Sequence, residues 1–210
     1  MICNFKFLIS NFKFQKGFTL LEFLVVIGLL SITIGSILLF LTSVLKGTNQ
    51  ANITAEVKQN GQVVLDTLES QIRNGTDAVC INPANGSLCA SPTQSTSHIK
   101  LLRTNSDPLH IRCVKNPGEN GRIEIAVSAV ALGTIPSNFM SITNQDTVSG
   151  VDITDTDCNT VFTIVPSSGG VSAPPIVAVN FKVNQGVAAV SRQDFLANVA
   201  FQTTISLRGY

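Results

Sequence analysis

Glu22 is the residue of this chain that most demands a chemical reason. It is the only ionisable side chain between Phe18 and Lys46, in a segment whose other members are apolar, small or hydroxylated. A carboxylate near the end of a membrane helix costs up to ~2.5–3.5 kcal/mol if it lies deep and unpaired, so it calls for a cationic partner. A positive amine ~4 Å away in an effective dielectric of ~20 would contribute about 4 kcal/mol before desolvation. The other reading places Glu22 among lipid headgroups, where it marks the membrane boundary. Further along, Cys80, Cys89, Cys113 and Cys158 form an even set suited to disulfides, and Cys3 stands apart near the start. His98 and His110 have no metal-ligand spacing. Asp146, Asp152, Asp155 and Asp157 cluster in one segment. Their spacing is not that of an EF-hand, so a solvated turn is the first reading and a calcium site at Asp152, Asp155 and Asp157 the second. No nucleophile elbow, phosphate-binding loop or dinucleotide motif occurs, and neither catalysis nor a cofactor is expected.

The elements that must position these groups begin with the apolar run. From Phe23 to Leu45 no residue is ionisable, and as a helix this stretch would be ~34 Å long, enough for the ~30 Å hydrocarbon layer. Lys6, Lys13 and Lys16 precede it, which puts the N-terminus in the cytoplasm and the chain after Lys46 outside. The four later cysteines then fall where disulfides persist. With three of the 14 basic residues in the leader, 11 remain against 13 acidic ones. That balance gives no basic surface for nucleic acid.

A secretory signal places its small-residue cleavage site after the apolar core. Here the order is inverted: Lys16-Gly17-Phe18-Thr19-Leu20-Leu21-Glu22-Phe23-Leu24 precedes the long apolar tail. This stretch resembles the prepilin (class III) signal of type IV pilins and of type II secretion pseudopilins. The resemblance implies cleavage between Gly17 and Phe18 by a membrane prepilin peptidase, with N-methylation of the new Phe18 amine. Gly17 suits the cut, since a backbone without a side chain can extend into a protease cleft. The resemblance also names the partner of Glu22: the amine of Phe18 on a neighbouring subunit, a contact that would set the register between subunits. Gly28, Ser31, Gly35 and Ser36 offer small surfaces for close helix packing.

After Lys46, Val57, Val64, Leu65, Leu68 and Ile72 recur at helical steps, which predicts an amphipathic continuation of the membrane helix. It should stop near Asn74-Gly75, where Gly75 can take a left-handed cap. One continuous helix is preferred to two with a break near Gly47-Thr48-Asn49. Beyond it, short alternating runs predict strands at 99–103, 109–114, 122–130, 148–154, 161–165, 176–183 and 199–207, separated by Gly, Pro, Asn and Ser. The expected fold is α+β and pilin-like: a leader at 1–17, a membrane or filament-core helix at 18–45, its amphipathic continuation at 46–74, and an extracytoplasmic β-rich head at 75–210. Four cysteines allow three pairings. Cys80 with Cys89 and Cys113 with Cys158 is the favoured set, contributing roughly 2.7 and roughly 4 kcal/mol by loop closure.

The functional expectation is a structural, minor subunit of a type IV pilus or type II secretion pseudopilus, its head resembling the J-type or W-type minor pseudopilins. Its implied partners are the prepilin peptidase, other pilin-like subunits, the inner-membrane assembly platform and the membrane itself. The alternative is a pilus-tip adhesin or DNA-uptake subunit, although a near-neutral head lacks the clustered Lys and Arg that phosphate binding needs.

Overall fold

The structure is a computed structural model that describes residues 19–91, 93–166, 174–189 and 197–208. It divides into two compact units, Met1–Leu45 and Lys46–Tyr210. A single helix, α1 (Leu20–Arg73), is the first element. No Pro interrupts this stretch, and Gly28, Gly35 and Gly47 sit in it without disturbing the helix. Every residue from Thr19 to Leu45 is exposed.

In the second unit the helical stripe does what its spacing predicts. Val57, Val64, Leu68 and Ile72 are buried in the core, and Ile53 and Leu65 pack against it from positions of intermediate exposure. Gly61, on the same stripe, is buried as well. The helix ends with Gly75 N–H donating to Ile72 O at 2.9 Å. Gly75 does not enter the left-handed region expected of it. It is buried, and a Cβ there would stand 3.1 Å from Leu207 Cδ2, so close packing is what favours glycine at this place.

The strands are β1 (Asp77–Cys80), β2 (Ser95–Thr96), β3 (His98–Leu102), β4 (Leu109–Val114), β5 (Arg122–Val127), β6 (Met140–Ser141), β7 (Val151–Asp152), β8 (Phe162–Val165), β9 (Ile176–Gln185) and β10 (Asn198–Ser206). A short helix, α2 (Asp155–Asn159), lies between β7 and β8. Two antiparallel sheets result: β1-β3-β4-β5-β6, and β10-β9-β8-β2 with β7 added beside β9. Alternation sets the faces. In β9, Val177, Val179, Phe181 and Val183 are buried while Asn180 and Lys182 are exposed. Ile99, Leu101, Leu109, Ile111 and Ile123 of the first sheet join Phe162, Ile164, Phe181, Phe201 and Ile205 of the second in one core.

Several local expectations needed correction. The run expected at 148–154 pairs only at Val151 and Asp152, because residues 146–150 fold into a tight loop. There Asp146 Oδ1 accepts from Val148 N–H at 2.9 Å and Ser149 N–H at 2.8 Å, and Gly150 N–H returns to Asp146 O at 2.8 Å. Those donors hold the Asp146 carboxyl below its usual range. The run at 122–130 stops as a strand at Val127. Strands β1, β2 and β6 and helix α2 were not anticipated, being too short for periodicity to register.

Candidate functional site

The candidate site at the N-terminus begins with Thr19. Its Oγ1 accepts the Glu22 amide at 3.3 Å and its carbonyl accepts the Phe23 amide at 3.2 Å. Thr-x-x-Glu is the spacing of a capping box, in which the threonine satisfies an orphan amide and the carboxylate lies beside the positive helix end. Glu22 therefore stands in the first turn of α1 with its backbone amide held by Thr19 and its carboxylate beside the positive helix end, a local arrangement that neither sequence reading of Glu22 included although Thr19-Leu20-Leu21-Glu22 carried the signal. Gly17 and Phe18 lie outside the described residues.

Downstream, the hydroxyls of Ser31, Thr33, Ser36 and Thr42 are turned inward on the backbone. Ser31 Oγ donates to Ile27 O at 2.8 Å, Thr33 Oγ1 to Leu30 O at 2.9 Å, Ser36 Oγ to Thr33 O at 2.8 Å and Thr42 Oγ1 to Leu39 O at 2.9 Å. Each of these four hydroxyl protons is satisfied within the helix, which is the condition for placing such residues in hydrocarbon. A Cβ at Gly28 or Gly35 would meet nothing within 4 Å, so both positions are open to a close neighbour. Among the described residues one helix is long and apolar enough to cross a membrane, and it contains this stretch.

In the head the cysteines pair as Cys80–Cys89 and Cys113–Cys158, with Cα separations of 5.4 and 5.2 Å. The first closes the loop after β1, where the Ile81↔Leu88 bridge and the bond from Cys89 N–H to Cys80 O at 3.2 Å already bring the ends together. Within that loop Gly86 has φ +72°, and a Cβ would strike the Thr134 backbone at 2.9 Å, so only glycine fits. The second bridge ties β4 of one sheet to α2, which leads into β8 of the other.

The acidic residues weighed as a calcium site are spread over separate tasks. Asp152 Oδ1 accepts from Lys115 Nζ at 2.5 Å and from Gly121 N–H at 2.6 Å. Asp157 Oδ2 accepts from Thr154 Oγ1 at 2.5 Å, inside the N-terminal cap of α2, and Asp155 stands in the first turn of that helix. Among the described residues no three His, Cys, Asp or Glu side chains converge as a metal cage requires.

His98 and His110, which lack metal-ligand spacing, lie on the neighbouring strands β3 and β4. The structure buries both, diagonally across β3 and β4, with Nε2 of His98 3.1 Å from Nδ1 of His110. His98 Nδ1 and His110 Nε2 are buried and have no hydrogen-bond partner among the described residues. Burial first, then His110 and Arg112, lowers the His98 pKa from 6.5 to about 3. Burial and then Lys100 lower that of His110 to about 4. The pair is thus neutral. Around it, Arg112 lies 3.6 Å over the Phe139 ring and bonds Glu124 at 2.8 Å, Glu124 also accepts from Arg122 at 2.7 Å, and Lys100 Nζ donates to Val130 O at 3.2 Å. This polar layer is roofed by the segment after β5, which brings Val130 and Phe139 over it.

Against known protein families, residues 12–40 match the prokaryotic N-terminal methylation motif. No curated protein and no solved structure matches the chain. The chain carries a prepilin-type signal that runs into a long apolar helix, followed by antiparallel sheets in a pilin-like α+β arrangement.

Proposed function

We propose that this protein is a minor structural subunit of a type IV pilus or type II secretion pseudopilus. The observation that carries the reading is the methylation motif at residues 12–40 leading directly into an exposed apolar helix in which Ser31, Thr33, Ser36 and Thr42 bond the helix's own backbone. Prepilin peptidase cuts between Gly17 and Phe18 and the Phe18 amine is methylated. The apolar helix remains in the bilayer with the head outside, and the assembly platform then draws it into a filament. There Glu22 faces the methylated amine of a neighbouring subunit. The first-turn position of Glu22 is compatible with this pairing, since a carboxylate there lies at the end of the helix where a neighbour's terminus can reach it.

Disulfides are the staple expected of a head that works outside the cell, where thiols oxidise. Mass spectrometry of the chain recovered from its native membranes tests the proposal. The expected mature N-terminus is N-methylated Phe18; recovery of the chain still beginning at Met1 would overturn it.

A further inference from the structure

Strand β10 ends the second sheet, and among the described residues only β9 pairs with it. Three bonds fix which way its backbone groups point. Leu207 N–H donates to Pro175 O at 3.0 Å, one step past the Ser206↔Ile176 pair, so odd-numbered residues of β10 aim at β9. Asn180 N–H donates to Val161 O at 2.8 Å, which leaves the odd-numbered residues of β9 to face β10. Arg208 N–H points the opposite way from Leu207 and finds Gly75 O at 3.2 Å. Alternation then puts the amides and carbonyls of Asn198, Ala200, Gln202, Thr204 and Ser206 on the outer edge, and all five residues are exposed.

Natural sheets blunt their edges with short strands, charges, prolines or bulges. The other outer strands follow that rule: β2, β6 and β7 have two residues each, and β1 has four and opens on Asp77. Strand β10 does not. It runs nine residues in unbroken register, Asn-Val-Ala-Phe-Gln-Thr-Thr-Ile-Ser, with no ionisable side chain, glycine or proline.

We propose that β10 is an assembly edge, which takes up an extended, uncharged strand of a neighbouring subunit through Asn198, Ala200, Gln202, Thr204 and Ser206. The inference rests on the filament reading, and interface size ties it to that reading. A strip about 30 Å long and about 10 Å thick offers roughly 300 Å² per partner, well below the ~800 Å² of a stable interface. Such an edge captures a strand only when another contact holds its source close by, and subunits packed through their N-terminal helices supply that local concentration. The strand it takes is uncharged because β10 has no ionisable group to pair with a charge brought against it.

Residue-resolved amide hydrogen exchange on the full chain tests this, comparing protein dispersed in detergent with filaments sheared from cells. In detergent the amides of Ala200, Gln202, Thr204 and Ser206 should exchange fast while those of Phe201, Thr203 and Ile205 are slow. In filaments the first set should slow by at least about tenfold, the equivalent of one hydrogen bond. Recovery in filaments with the first set unchanged would overturn the edge proposal and leave the helix-borne polymer intact. Absence of the chain from filaments would overturn both. A second arm uses Gln202→Pro, which deletes an outward amide and spares the ladder. This variant should keep its disulfides and membrane insertion yet fall about tenfold in filament incorporation; normal incorporation would overturn the proposal.

Discussion

Gly61 of α1 and Phe201 of β10 occupy adjoining space so closely that a Cβ on the glycine would lie 2.2 Å from Cε2 of the ring. The ring cannot simply swing aside, because it stacks on Phe181 at 5.4 Å between centroids. The amphipathic half of the helix and the last strand are therefore seated by the absence of one methyl group.

Gly61→Ala should destabilise the head by about 1–2 kcal/mol, since overpacking outweighs the ~1 kcal/mol that alanine gains in helix propensity. Denaturant unfolding would show it, and Phe201→Leu in the same chain should recover most of the loss. A stabilised Gly61→Ala protein would mean that the helix seats differently.

The two disulfides should differ in weight. Replacing Cys113 and Cys158 by serine opens a loop with a sequence separation of 45, against 9 for Cys80 and Cys89. The expected losses are roughly 4 and roughly 2.7 kcal/mol. Thermal unfolding of the two double variants, compared with the fully reduced protein, measures both.

Acid should weaken the head through His98 and His110. Both titrate near 6.5 when unfolded and only at about 3 and about 4 when folded. The fold binds the neutral rings, so their contribution is complete above pH 6.5 and is lost as pH falls toward 3. The slope is at most about 1.4 kcal/mol per pH unit for each ring. Unfolding free energies measured across that range should flatten in the His98→Gln, His110→Gln double variant.

Asp152→Ala strips the partner from Lys115 and the acceptor from Gly121 N–H, and should cost about 2–3 kcal/mol. Asp152→Asn should cost less, because the amide oxygen still accepts from Gly121. With this carboxylate engaged, calcium or a chelator should leave the melting temperature unchanged. A rise of several degrees on adding calcium would show that these acids do form a cage.

At the other end of the chain, Glu22→Ala should still be cleaved and inserted in the membrane but absent from filaments. Glu22→Gln separates charge from local geometry, since the bond from the backbone amide at this position to Thr19 survives in it. If the Glu22→Gln variant enters filaments as well as the natural chain does, the ionic pairing with a neighbouring amine is wrong.

The sequence alone determined whatever depends on neighbours along the chain. The apolar stretch before Lys46, the stripe from Val57 to Ile72 and the alternating strands β3, β4, β9 and β10 were all legible, because a helix or strand exposes its own period. The methylation motif was legible too, as a string of side-chain types beside an apolar run. Tertiary structure decided what depends on residues far apart. Nothing local shows that Phe201 needs a glycine at position 61, that Lys115 and Gly121 claim Asp152, or that His98 and His110 meet under Phe139. The outer edge of β10 belongs to the same class: a strand's pattern tells which side chains are buried, and only the pairing of sheets tells which backbone groups no strand among the described residues takes up.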